Sequence, residues 1–114
     1  MKQKRKPNHP GKILDELYIK PLDLNLEKLA KRLRIARNTL YNIRTGNARI
    51  TPFIAIALSK AFDTTPQLWL NLQQTYDLWV EENEYEYAPI EPIVKNGKFL
   101  PTAPNSEMIK QVHA

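Results

Sequence analysis

The chain has 114 residues, with 17 lysines and arginines against 12 carboxylates, a formal charge of +5 and no cysteine. That length suits one domain with a tail, 42% hydrophobic residues suffice for a small core, and the missing thiols exclude disulfides, thiolate metal sites and a cysteine nucleophile. The longest apolar stretch, Ile54 to Leu58, is far shorter than the ~20 residues of a membrane span, and nothing resembles a signal peptide, so a soluble, cytoplasmic protein without a membrane partner is expected.

Residues 1–8 form a basic arm carrying Lys2, Lys4, Arg5 and Lys6. Asn8 or His9 caps a first helix with Pro10 at its first position, where a missing N–H costs nothing. This helix is expected to run to about Tyr18 and to bury Ile13, Leu14 and Leu17 before Pro21 ends the region. Asn25 caps a second helix, in which Leu26, Leu29, Ala30 and Leu33 follow the i, i+3, i+4, i+7 spacing of a buried stripe. A third helix starts near Arg37 and stops before Gly46, with Leu40 and Ile43 on its apolar side. Thr51-Pro52 opens a fourth, with Phe53, Ile54, Ala57, Leu58 and Ala61 facing inward. Thr65-Pro66 opens a fifth that reaches about Asn83 and carries Leu68, Trp69, Leu72, Tyr76, Trp79 and Val80. Leu68 and Leu72 read as core. Trp69, Tyr76 and Trp79 read equally as core or as a self-association surface, and we assign them to a dimer interface.

Beyond Asn83 the composition changes. Tyr85, Tyr87, Ile90, Ile93 and Val94 favour strand, and Asn96-Gly97 is a hairpin turn signal before Lys98-Phe99-Leu100. Pro89, Pro92, Pro101 and Pro104 argue against a central strand. Three parts result: an arm over 1–8, a five-helix domain over 9–83 and an extended or hairpin extension over 84–114. The fold class is all-α.

Two short helices joined by a tight turn, Leu26 to Thr45, form a helix-turn-helix unit. Small Ala30 sits where the second of these helices crosses close over the first. The outer face of the unit carries Lys28, Lys31, Arg32, Arg34, Arg37 and Arg44 against Glu27 alone, and Arg49 extends the cluster. From Asp77 to Glu91 the sign reverses, with six carboxylates and no lysine or arginine. One end of the chain thus suits phosphates and the other a basic partner.

The stretch from His9 to about Glu82 resembles the HigA-type antitoxins, or virulence-associated protein I family, within the phage-repressor-like helix-turn-helix group. His9-Pro10-Gly11-Lys12-Ile13-Leu14, the Leu29-Ala30 to Ile43 window and Thr45-Gly46 with Arg49-Ile50-Thr51 carry the match. So do Thr65-Pro66, Leu68-Trp69-Leu70-Asn71-Leu72-Gln73 and Tyr76-Asp77-Leu78. The resemblance implies a lambda-repressor-like fold and a homodimer that represses its own operon from an inverted repeat in double-stranded DNA. It also implies a second partner, a HigB-type mRNA endonuclease toxin that the protein neutralises. In similar proteins the third helix enters the major groove, which here turns Arg37, Asn38, Thr39, Tyr41 and Asn42 toward DNA. Arginine reads guanine and asparagine reads adenine through paired hydrogen bonds. Arg37 suits a phosphate equally well, and Asn38 also suits a local backbone bond. Lys28, Arg44, Asn47 and Arg49 are expected on phosphates, which position without reading sequence. The chain departs from related repressors at Leu26, where glutamine is common, and at Arg34, where the turn usually has glycine.

Competing functions are weaker. His9 and His113 are the only histidines, neither has a partner motif, and the acidic residues after Asp77 lack histidine partners for a metal. We therefore expect no enzyme, cofactor or metal. A stand-alone phage-type repressor and an interaction module that no longer binds DNA are the alternatives.

Overall fold

Four of the five helices open on the residue whose side chain the sequence offers as a cap. In the computed structural model, which describes residues 5–99, they are α1 (Pro10–Leu14), α2 (Leu26–Leu33), α4 (Pro52–Phe62) and α5 (Pro66–Glu84). His9 Nδ1 accepts from Gly11 N at 2.9 Å and Asn25 Oδ1 from Lys28 N at 3.0 Å. Thr51 Oγ1 accepts from Ile54 N at 3.3 Å and Thr65 Oγ1 from Leu68 N at 3.2 Å. Each such bond satisfies an amide that the helix itself leaves open. Only α3 (Arg37–Arg44) begins without one, because Ala36 has no side chain to supply it.

The first helix departs from expectation. After Leu14 it widens into a π-helical turn, Asp15–Ile19, with Lys20 N donating to Asp15 O at 2.9 Å. A five-residue step brings Leu14 and Ile19 to the same side, and both are buried. Leu17, expected in the core, falls between them and is 60% exposed.

The core is built from Leu14, Ile19, Leu29, Ala30, Leu33, Leu40, Ile43, Ile50, Ile54, Ala55, Leu58 and Trp69. Ile50 joins it from the loop after α3. On α4 the buried set is Ile54, Ala55, Leu58 and Ser59, so Phe53 and Ala61 point outward against expectation. Leu68 is likewise 41% exposed, because α5 turns Trp69 and Gln73, one turn apart, toward the core. Gln73 Oε1 accepts from Ile50 N at 2.8 Å and its Nε2 donates to Asp77 Oδ1 at 3.0 Å, satisfying a buried loop amide from α5.

Two backbone details set how closely the helices meet. A Cβ on Gly11 would lie 1.6 Å from the Ile43 carbonyl oxygen, so α1 touches the backbone of α3 and glycine is required there by space. Arg34 ends α2 in the left-handed region at φ 59°, a conformation that costs a residue with a Cβ about 1 kcal/mol. Its N–H still bonds the Lys31 carbonyl at 3.1 Å, and Ile35 N bonds Ala30 O at 3.0 Å, so the turn to α3 stays closed.

Past α5 the chain is extended and ends in a hairpin of β1 (Val94–Lys95) and β2 (Lys98–Phe99), with Val94 opposite Phe99. Asn96 and Gly97 both have positive φ, the requirement of a tight two-residue hairpin turn. Every residue from Tyr85 to Phe99 is exposed. Lys2, Lys4, Leu100 and the tail beyond lie outside the described residues. Among the described residues no helix is long and apolar enough to cross a membrane.

Candidate nucleic-acid interface

Leu40 and Ile43 are fully buried, and they anchor α3 on the Gly11 contact and on α2. This fixes which side of α3 faces outward. Arg37, Asn38, Tyr41 and Asn42 are all exposed there, with Thr39 half-buried beside them. Asn38, Tyr41, Asn42 and Thr45 follow i, i+3, i+4, i+7 and so share one face. Thr45 was not singled out from sequence; extending the Asn38–Tyr41 spacing by one turn would have found it. Its hydroxyl donates to Tyr41 O at 3.0 Å and accepts from Asn47 Nδ2 at 3.1 Å. Asn47 N and Ala48 N both bond the Asn42 carbonyl, at 2.7 and 3.0 Å. The loop is thereby folded tightly against the end of the helix, so the exposed face is held on a rigid support.

A cleft lies at each end of α3. At its start, Arg37 shares one with Asn25, Leu26 and the carboxylates Asp23 and Glu27. At its end, Lys6, Lys12 and Arg44 converge on another with Asn8, Thr45 and Asn47. Lys12 is a cation that sequence reasoning passed over, although its place in the capped turn of α1 puts it beside the α3 terminus. Lys28 is exposed on α2 and makes no ion pair among the described residues.

Two of the other cations are already engaged. Arg44 Nε donates to Asp15 Oδ1 at 2.7 Å, which ties α3 to the π-helical turn. Arg49 pairs with Asp77, completing a chain of contacts from Ile50 through Gln73 to the loop cation. Both guanidiniums therefore hold the loop and helix in place in the free protein.

His9 joins these parts. Its Nδ1 caps α1, its ring packs edge-on against Tyr76 at 5.0 Å, and Gly46 lies against it. Burial lowers its pKa below the usual 6.5, and the nearby Arg49 charge works in the same direction; Asp77 and the Ala48 carbonyl oppose them. Lys6 reaches over the rings of Tyr76 and Trp79, at 5.6 and 5.5 Å, and pairs with Glu84 at 3.0 Å. That hydrogen bond to Glu84 raises the Lys6 pKa. Trp69 differs from the other two aromatics assigned to a dimer contact. It is 0% exposed in the core of its own chain, and its Nε1 donates to Thr64 Oγ1 at 2.8 Å. It has no surface to offer a partner, so that assignment is corrected.

Residues 16–69 match a helix-turn-helix family. The chain is 48% identical over 81 residues to an HTH-type transcriptional regulator of Haemophilus influenzae, covering 70% of this chain and 76% of that one. It is 35% identical over 85 residues to antitoxin HigA-1 of Vibrio cholerae, covering 75% and 80%. The solved structure of Pseudomonas aeruginosa antitoxin HigA with the higBA promoter superposes with a TM-score of 0.67 at 33% identity, covering 77% of this chain and 99% of that one. The chain belongs to the HigA-type antitoxin and virulence-associated protein family of helix-turn-helix regulators.

Proposed function

We propose that the protein is a sequence-specific repressor that binds an inverted repeat in double-stranded DNA as a homodimer, and an antitoxin that neutralises a HigB-type endonuclease. The observation that carries the DNA reading is α3 itself, with Leu40 and Ile43 locked inside and Arg37, Asn38, Tyr41 and Asn42 free outside. Asn42 and Arg37 supply the base contacts, with Asn38, Thr39 and Tyr41 alongside. Lys28, Arg44, Asn47 and Arg49 supply phosphate contacts, Arg44 and Arg49 after exchanging or sharing their carboxylate partners. Half-sites lie about one helical turn, ~34 Å, apart. Tyr76 and Trp79, half-buried on α5, carry the dimer contact. Operator complexes of related antitoxins support the DNA reading, and the name of the Vibrio cholerae relative supports the toxin reading.

Selection of sites from a random duplex pool at near-physiological salt tests the first reading. Recovery of a short inverted repeat is expected, and failure to enrich any sequence would overturn it. Within the selected site, Asn42→Ala should lose about 1–3 kcal/mol of discrimination at one base pair. Lys28→Ala should weaken all sequences alike and flatten the salt dependence. Co-purification of a basic protein whose RNA cleavage stops on binding tests the second reading.

A further inference from the structure

The outward turn of α4 leaves an apolar strip that the fold does not use. Phe53 is 55% and Ile56 is 47% exposed, and both line a groove with Leu33, Ala57 and Ala61. Arg32, Arg34 and Lys60 rim the groove, and none of them pairs with a carboxylate among the described residues. A second cleft, reaching Leu22, Asp23 and Lys31 and bordered by Lys28, shares Arg32 and Ala61 with the first, so the two form a continuous track. The apolar floor of the first groove, Phe53, Ile56 and Ala57, is wrong for a phosphate backbone. Its three bare rim cations would oppose one another in a face-to-face contact between two identical grooves. An acidic, apolar, extended segment is the complementary shape.

The chain carries one such segment. From Tyr85 to Ile93 it interleaves Glu86 and Glu91 with Tyr85, Tyr87 and Ile90, with no cation. Ile90 is 90% exposed, and Glu86 and Glu91 have no partner among the described residues, while the Tyr87 hydroxyl donates to Glu81 of its own α5. In its own chain the segment leaves the far end of α5, a helix of 19 residues and so about 28 Å long, and Pro89 and Pro92 keep it extended. Bending back onto its own α4 would reverse it, whereas a second copy offers the same groove without a bend. We propose that residues 85–93 of one copy dock in the α2–α4 groove of another, and reciprocally, clasping two copies by exchange of their extensions.

The cysteine-free sequence makes the test direct. Ile56→Cys and Ile90→Cys chains are prepared separately, mixed and oxidised. The expected product is the mixed 56–90 disulfide, at least tenfold over either like pair. Arg34→Glu with Lys60→Glu should suppress it about tenfold, and Glu86→Lys with Glu91→Lys in the partner should restore it. Circular dichroism confirms that each variant is folded, since all these side chains lie outside the core. A statistical mixture of disulfides would overturn the proposal. So would a doubly substituted chain that closes on itself at all dilutions, which places the segment in its own groove. No DNA is present, so the outcome is independent of the repressor reading.

Discussion

The helical body, Pro10 to Glu84, and the extension after it contain similar kinds of apolar residue and use them in opposite ways. In the body twelve hydrophobic side chains are buried together. In the extension Tyr85, Tyr87, Ile90, Ile93, Val94 and Phe99 are all exposed. A buried Leu or Ile is worth about 1.5–3 kcal/mol, but only when several elements enclose it. The two-residue strands of the hairpin enclose nothing, so its pairing rests on the Asn96-Gly97 turn and local bonds. Burial is therefore a property of helices that meet, and apolar composition alone does not produce it.

This contrast can be broken most strongly at Trp69. Trp69→Ala removes the largest fully buried side chain and strands the Thr64 hydroxyl, and should cost about 3–5 kcal/mol by urea unfolding. An effect below 1 kcal/mol would mean that the body packs as loosely as the extension. Gly11→Ala forces a methyl into the Ile43 carbonyl and should cost about 3 kcal/mol, with DNA binding lost in proportion as α3 shifts.

His9 gives a smaller effect with a definite sign. Its folded pKa lies below the usual 6.5, so the fold favours the neutral ring that accepts from Gly11 N. The unfolded chain then binds more protons, and stability should be complete above pH 6.5 and decline as the pH falls below it. His9→Ala should cost about 1 kcal/mol at pH 8, as for loss of a helix cap, and should remove that decline. Smallest of all, ending the chain after Glu84 should change the stability measured at submicromolar concentration by less than about 0.5 kcal/mol. A larger loss would show that the extension packs on the body.

Much of this was legible residue by residue. The caps at Asn25, Thr51 and Thr65 and the Asn96-Gly97 turn were legible, and the first cap was narrowed to Asn8 or His9, because each is decided within three or four residues of chain. The exposed side of α3 followed from Leu40 and Ile43 in the same way. Residues whose surroundings come from far along the chain were harder to read. The pairing of Arg44 with Asp15 spans 29 positions, and the bond from Ile50 N to Gln73 spans 23. No local pattern encodes either.

By itself, then, the sequence determined where helices begin, the helix-turn-helix unit, the family and the opposed charges of the two ends, since these depend on local sterics, capping and composition. Only the tertiary structure decided that Leu17, Phe53, Ala61 and Leu68 face outward while Ile19, Ile50 and Trp69 are enclosed. Only it showed that Arg44 and Arg49, expected on phosphates, pair with Asp15 and Asp77. The physical reason is that a helix stripe wider than its contact leaves the choice of inner residues to the neighbours, and an ion pair forms wherever packing brings the charges together.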